Sequence, residues 1–240
     1  LFRCIAEMAL DFPLLSVRSA RRFLRFVQKN GISGTAVLER TGIETSMLDN
    51  PDAYLSMRQV QHLLNNGNHL LNDHTSSFRF GQELDLQGHG LFGFALLRQR
   101  DFRKLANMVV QYLRVSLPLM DMEIHCTGEL ICIRLHDNWE LKKLKPMVAN
   151  IYMGSIYALA SLVCRKFTFE FDFPCPGNSL AWQRLADGVE VKFNCPHNRV
   201  LMPLSGRQAK DDDNSMATYL ATARSREQVQ SDDSLKVVFK

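Results

Sequence analysis

Apolar residues recur at helical spacing through the first half of the chain. Val17, Ala20, Phe23, Leu24 and Val27 fall on one side of a 3.6-residue period, and Arg18, Arg21, Arg22, Arg25 and Lys29 occupy the rest. Ser16 before this stripe and Gly31 after it are good N-cap and C-terminal stop residues, so the pattern predicts a helix between them. Shorter helical pieces follow at Thr35–Arg40, stopped by Gly42, and at Glu44–Leu48, before an Asn50-Pro51 turn. Ser56 caps a longer helix bearing Met57, Val60, Leu63, Leu64, Leu70 and Leu71. Asp101 opens the most regular amphipathic segment, with Phe102, Leu105, Ala106, Val109, Val110 and Leu113 inward, and Pro118 ends it.

The period then changes to two. Glu123–Cys126 and Leu130–His136 flank Thr127-Gly128-Glu129 and predict a hairpin. Pro146–Cys164 predicts a helix apolar on most sides, which belongs at the centre of a core. Next, Phe167, Phe169, Phe171 and Phe173 alternate with Thr168, Glu170 and Asp172, so one strand face is wholly aromatic. Ser179–Ala186 reads as a short helix, Val189–Phe193 as an alternating strand, and Asn198–Leu204 as a further strand. Helices followed by strands around one long central helix predict an α+β fold. Its helical N-terminal part packs on a small, mainly antiparallel sheet.

Composition changes at Ser205. Gly206–Ser215 contains Lys210-Asp211-Asp212-Asp213 and reads as a polar hinge, and Met216–Val229 reads as a helix. Residues 1–205 are accordingly expected to form a regulatory domain and 206–240 a hinge and linker helix. The chain opens at Leu1, which points to a piece of a longer protein.

Charge narrows the partners. The net charge of +4 is matched by residues 1–30 alone, which carry six basic and two acidic side chains. Ala36–Leu48 imitates a helix-turn-helix, but residues 41–57 hold no Lys or Arg while Glu44, Asp49 and Asp52 are acidic. A recognition helix without a cation has nothing to hold phosphates, so these segments are not expected to touch DNA. The uncharged stretch from Met147 to Cys164 is interrupted by Asn150, Gly154, Ser155 and Ser161, and reads as core, not as a membrane span. Six cysteines without a CxxC pair, and no signal peptide, fit reduced thiols in a cytoplasmic protein.

Catalytic signatures are missing: there is no GxSxG, no HExxH, no P-loop and no paired metal motif. Gly81, Gly88, Gly90 and Gly93 do not make a dinucleotide fingerprint, and seven scattered histidines make no metal set. No enzyme activity, metal or cofactor is expected. Aromatic surface with few polar interruptions is instead the make-up of a small-molecule pocket. Phe92, Phe94, Tyr112, Tyr152 and Tyr157 are the expected lining, with His89, Arg98 or His125 fixing a polar group of the ligand.

The order of several strings resembles the N-terminal effector domain of AraC/XylS-type regulators, in the subgroup with an arabinose-binding-like domain. They are Leu38…Thr41-Gly42-Ile43…Leu48-Asp49-Asn50-Pro51, then Phe80-Gly81, then Gly90-Leu91-Phe92-Gly93-Phe94-Ala95-Leu96-Leu97, with Phe102…Leu105 following. Val191…Phe193 and Leu201-Met202-Pro203-Leu204 close the series, which spans about residues 10–230. The resemblance implies a ligand-responsive, self-associating domain that precedes a pair of helix-turn-helix motifs. DNA binding would then belong to a C-terminal domain outside this sequence. The layout also resembles the haem-NO-binding sensor fold, but no histidine stands in the context of a proximal haem ligand, and haem is not carried over.

The expectation is therefore a homodimeric sensory domain for an apolar or amphipathic effector. Its dimer surface would lie on the helix at 101–117 or at 216–229. The rival reading is a protein–protein interaction module with no small-molecule effector.

Overall fold

The computed structural model describes residues 10–86, 101–161, 166–185 and 189–203. Its first half is built on one device used twice. Strand β1 (Pro13–Ser16) runs straight into helix α1 (Val17–Lys29), and strand β2 (Tyr54–Ser56) runs straight into helix α4 (Met57–Leu71). The two strands pair antiparallel with Leu15 opposite Leu55. Each strand-to-helix junction carries the same string, Leu15-Ser16-Val17-Arg18 and Leu55-Ser56-Met57-Arg58. The leucine and the following apolar residue are buried in both copies. The serine caps the helix in both: Ser16 accepts from the Arg18 N–H, and Ser56 forms a reciprocal capping box with Gln59. Each arginine then crosses to the other unit, Arg18 to Asp52 at 3.9 Å and Arg58 to Asp11 at 2.7 Å.

Helices α2 (Gly34–Leu38) and α3 (Thr45–Asp49) bridge the two units. Gly42 between them has φ +69°, a backbone conformation that side chains resist. Asn66 of α4 pins the end of α2 by donating to the Val37 and Glu39 carbonyls.

Helix α5 (Ser76–Leu86) was not foreseen, because Gly81 breaks its apolar stripe. Its partner is α7 (Lys145–Ala160), the expected central helix, which starts with Pro146 in its first turn and is buried along nearly its whole length. Helix α6 (Phe102–Ser116) begins at Asp101, whose carboxylate accepts from the Arg103 and Lys104 N–H groups. No helix among the described residues is long and apolar enough to cross a membrane.

The second half supplies a five-stranded sheet among the described residues. Its strands are β3 (Asp121–Thr127), β4 (Leu130–His136), β5 (Phe167–Glu170), β6 (Val189–Lys192) and β7 (Arg199–Pro203), in spatial order β3-β4-β7-β5-β6. Only the β5–β6 pair is parallel, so the sheet is mainly antiparallel, as expected. The hairpin turns through Gly128 at φ +59°. Regular strand pairing of β5 stops at Glu170, yet the aromatic alternation continues past it, and Phe167, Phe169, Phe171 and Phe173 are all buried. Phe193 stacks on Phe171 with ring centres 5.2 Å apart, and Trp182 of α8 (Ser179–Gln183) meets Phe193 edge-on. Helix α8 ends three residues sooner than its pattern suggests, at Gln183.

The opposite sheet face is polar. Glu170 is 7% exposed and its carboxylate takes the Arg199 guanidinium at 2.5 Å, which satisfies a charge that burial would otherwise penalise. Burial pushes the nearby Cys132 thiol up from its ordinary value. That favours the neutral thiol over the reactive thiolate.

Candidate effector cavity

The two strand–helix units do not close completely on each other. Leu15, Ser19, Ala20 and Phe23 from the first unit, and Val60, Leu63 and Leu64 from the second, wall a small, partly open cavity of about 20 Å³. Phe80 and Leu84 of α5, Ile151 of α7, and Leu117 and Leu119 ahead of β3 complete the lining. The space admits about one water-sized group. Ser19 carries the single side-chain hydroxyl in this wall, and the remaining lining side chains are apolar. Water is poorly held in such a place, because it would lose hydrogen bonds it cannot replace.

Shape at the cavity is set by aromatic packing. The Phe23 ring lies against Gly67, where an added Cβ would come within 2.3 Å of it. Phe80 meets Phe23 edge-on at 5.0 Å between ring centres. Arg22 follows Ser19 by about one helical turn and donates from Nη1 to the carbonyl of the lining residue Leu84 at 3.1 Å. That carbonyl lies in the last turn of α5, where helices leave acceptors unpaired.

The expected site residues divide into two groups. His89, Phe92, Phe94 and Arg98 lie outside the described residues. The other four are described, and none of them is among the residues that line this cavity. Tyr152 is fully buried, and its hydroxyl accepts from the Leu119 and Met120 N–H groups at 3.1 and 2.9 Å. The Leu117 and Met120 carbonyls stand ready for its proton. Tyr152 thus shapes the Leu117–Met120 turn, two of whose leucines line the cavity, without lining it itself. Tyr157 packs half-buried between Phe78 and Phe167. Tyr112 is half-buried on α6. His125 is exposed on β3, where its Nε2 lies 3.1 Å from Glu123.

Glu123 also takes His136 at 3.1 Å. The hydrogen bond from His125, helped by its charge and by His136, holds the Glu123 carboxyl below the usual carboxylate range. Among the described residues no group of three or more His, Cys, Asp or Glu side chains is placed to hold a metal ion.

What sequence reasoning missed is the cavity wall itself. Its leucines, valine and alanine look like ordinary core in a single sequence, because nothing in their spacing distinguishes a lining position from a filled one. The repeated Leu-Ser-apolar-Arg string was the available signal, since it marks two equivalent units that face each other.

Comparison with known proteins adds four findings. A family model described as the arabinose-binding domain of AraC transcription regulators, N-terminal, matches residues 31–208. The ornithine utilization regulator of Pseudomonas aeruginosa is 22% identical over 194 residues, covering 79% of this chain and 57% of that protein. The chain therefore spans little more than half the length of this relative. Among solved structures, the transcriptional regulator CdpR from Pseudomonas aeruginosa superposes with a TM-score of 0.54 at 11% identity, over 89% of this chain and 70% of that one. A Cs H-NOX mutant carrying 4-cyano-L-phenylalanine gives a TM-score of 0.50 at 6% identity, over 82% of this chain and all of the other. At such identities these structures speak for the fold alone, and they agree with the expected α+β layout.

Proposed function

This chain belongs to the family of arabinose-binding N-terminal domains of AraC transcription regulators, and from that premise we propose that it is the effector-sensing part of a transcription regulator, without catalytic activity of its own. The apolar cavity between α1 and α4 is the effector site. The observation that carries this reading is its lining, which is made of side chains from both repeated units and from α5 and α7. An occupant there would press on most of the helical half at once. Its differential affinity for two arrangements of those helices would supply the switch.

The same lining speaks to the effector's chemistry. A sugar needs partners for several hydroxyls, and one serine hydroxyl with an apolar wall cannot provide them. We therefore assign an apolar or amphipathic effector, with Arg22 at the Leu84 carbonyl and His89, Phe92, Phe94 and Arg98 further along the chain from Leu84 as its remaining contacts. The chain self-associates in this reading, and residues 206–240 connect it to a DNA-binding domain that acts on DNA in its place.

Thermal denaturation in the presence of octanoate, indole or L-arabinose tests the assignment. Octanoate or indole should enter as α1 and α4 part, since the cavity as it stands admits only a water-sized group, and should raise the melting temperature with the logarithm of ligand concentration above Kd. Filling the cavity with Ala20→Leu should remove that response. A rise with L-arabinose alone, or a response that survives Ala20→Leu, overturns the site.

A further inference from the structure

The hairpin β3–β4 leaves one strand edge partly closed and partly open. Its two-residue turn, Gly128-Glu129, makes Thr127 and Leu130 a hydrogen-bonded pair, and the antiparallel pattern alternates from there. Asp121, Glu123, His125 and Thr127 therefore direct their backbone groups to β4, while Met122, Ile124 and Cys126 direct theirs away from it. β3 is the first strand in the sheet order, so no described strand meets that side. At Met122 the chain closes its own edge. Asp121 Oδ1 accepts from the Met122 N–H at 2.8 Å, and Arg114, bound to Asp121 at 3.0 Å, donates to the Met122 carbonyl. Among the described residues no such closure is found at Ile124 or Cys126. Of the usual guards of a free edge the strand has no Lys, no Pro and no bulge through its seven register pairs, and its charged side chains, Asp121 and Glu123, lie before Ile124.

Two open residues separated by one closed residue are self-complementary about a two-fold axis. With His125 opposite the same residue of a second copy, Ile124 of each chain pairs with Cys126 of the other, and all four open N–H and C=O groups on each edge find partners. Apolar positions then share one face and polar positions the other. A shift by one residue would oppose Ile124 to His125 and Glu123 to Cys126, and mix the faces. A shift by two would recruit Met122, which is already satisfied. On the polar face each His125 stays beside its own Glu123, 3.1 Å away, so the two imidazoles at the axis lie between two carboxylates.

We propose that a second copy of this chain docks antiparallel on the β3 edge, with His125 on the two-fold axis. The assignment rests on the reading that the chain self-associates, and it replaces the helical dimer surfaces expected from the sequence with a sheet edge.

Sedimentation of the full chain tests both levels. The chain should dimerise, and Cys126→Pro should weaken that association at least tenfold with an unchanged circular dichroism spectrum. The N–H it removes points away from β4, so the hairpin itself loses nothing. In a Cys126→Ser background, His125→Cys should form a covalent dimer under mild oxidation, because directly opposed residues of a non-hydrogen-bonded pair lie about 4.5 Å apart at Cα. Thr127→Cys in the same background should cross-link far less. A chain that stays monomeric at high concentration overturns the surface together with self-association. A dimer indifferent to Cys126→Pro, with no His125→Cys cross-link, overturns the surface and leaves self-association standing.

Discussion

Gly81 of α5 and Gly154 of α7 mark the place where the two helices touch through their backbones. A Cβ on Gly81 would stand 2.1 Å from the Ile151 carbonyl oxygen, and one on Gly154 would stand 2.1 Å from that of Phe78. Ser155 fastens the crossing by donating to the buried Gly81 carbonyl at 3.0 Å. Neither glycine can be replaced without parting helices that hold Phe80, Leu84 and Ile151 against the cavity.

Gly154→Ala should therefore cost about 3 kcal/mol, the upper end of what overpacking a core usually costs. Urea denaturation followed by circular dichroism measures it. A loss below about 1 kcal/mol would mean that the helices can separate freely, contrary to the close crossing.

Tyr152→Phe should destabilise by about 1–3 kcal/mol, because it strands the buried Met120 N–H and leaves the Leu119 N–H with the Leu117 carbonyl alone. The same change should alter the melting-temperature response to an apolar ligand, since the Leu117–Met120 turn forms part of the cavity wall. Tyr157→Phe is the control. Its ring contacts with Phe78 and Phe167 survive the loss of the hydroxyl, so ligand response should stay as it was.

Leu63 is 1% exposed and lines the cavity. Leu63→Ala should cost about 3 kcal/mol and enlarge the space into one that takes a small apolar molecule. Indole should restore more of the melting temperature to this variant than it adds to the unaltered chain. Equal shifts in both proteins would show that indole binds elsewhere.

Acid should unfold the chain partly through two carboxylates. The Arg58 hydrogen bond holds the Asp11 carboxyl below its ordinary value, and His125 does so for Glu123. A depressed folded-state value means that the stabilisation is complete above the ordinary carboxylate range, about pH 4, and is lost as pH falls below it. The stability difference between the unaltered chain and Asp11→Asn, whose partner Arg58 stays charged throughout, should thus be largest near neutrality and vanish in strong acid. Denaturant midpoints measured from pH 7 to about pH 3 trace it. A difference that grows on acidification has the wrong sign for this pair.

The helices with good caps were legible in the sequence: Ser16, Ser56 and Asp101 each begin a helix at the expected residue. The hairpin and the aromatic strand face were legible too, because a period of two over several residues has few other meanings. What stayed hidden depended on partners far along the chain. β1 and β2 are four and three residues long, too short to show a period, and each exists only through the other. α5 was masked by Gly81, whose purpose is visible only with α7 laid across it. For the cavity, aromatic residues drew attention because they are large. Tyr152 and Tyr157 proved to be spent on a backbone turn and on ring packing, and the wall was made of aliphatic side chains around Phe23 and Phe80.

Counted from Ser16 and Ser56, Ala20 and Val60 hold equivalent places in α1 and α4, and so do Phe23 and Leu63. All four face the same small void. The void is thus the seam of a hinged pair of leaves, joined along the Leu15–Leu55 contact and latched at the outside by Arg18 with Asp52 and Arg58 with Asp11. A molecule wedged into the seam bears equally on both leaves and strains both latches together, as a finger in the gutter of a book lifts both pages.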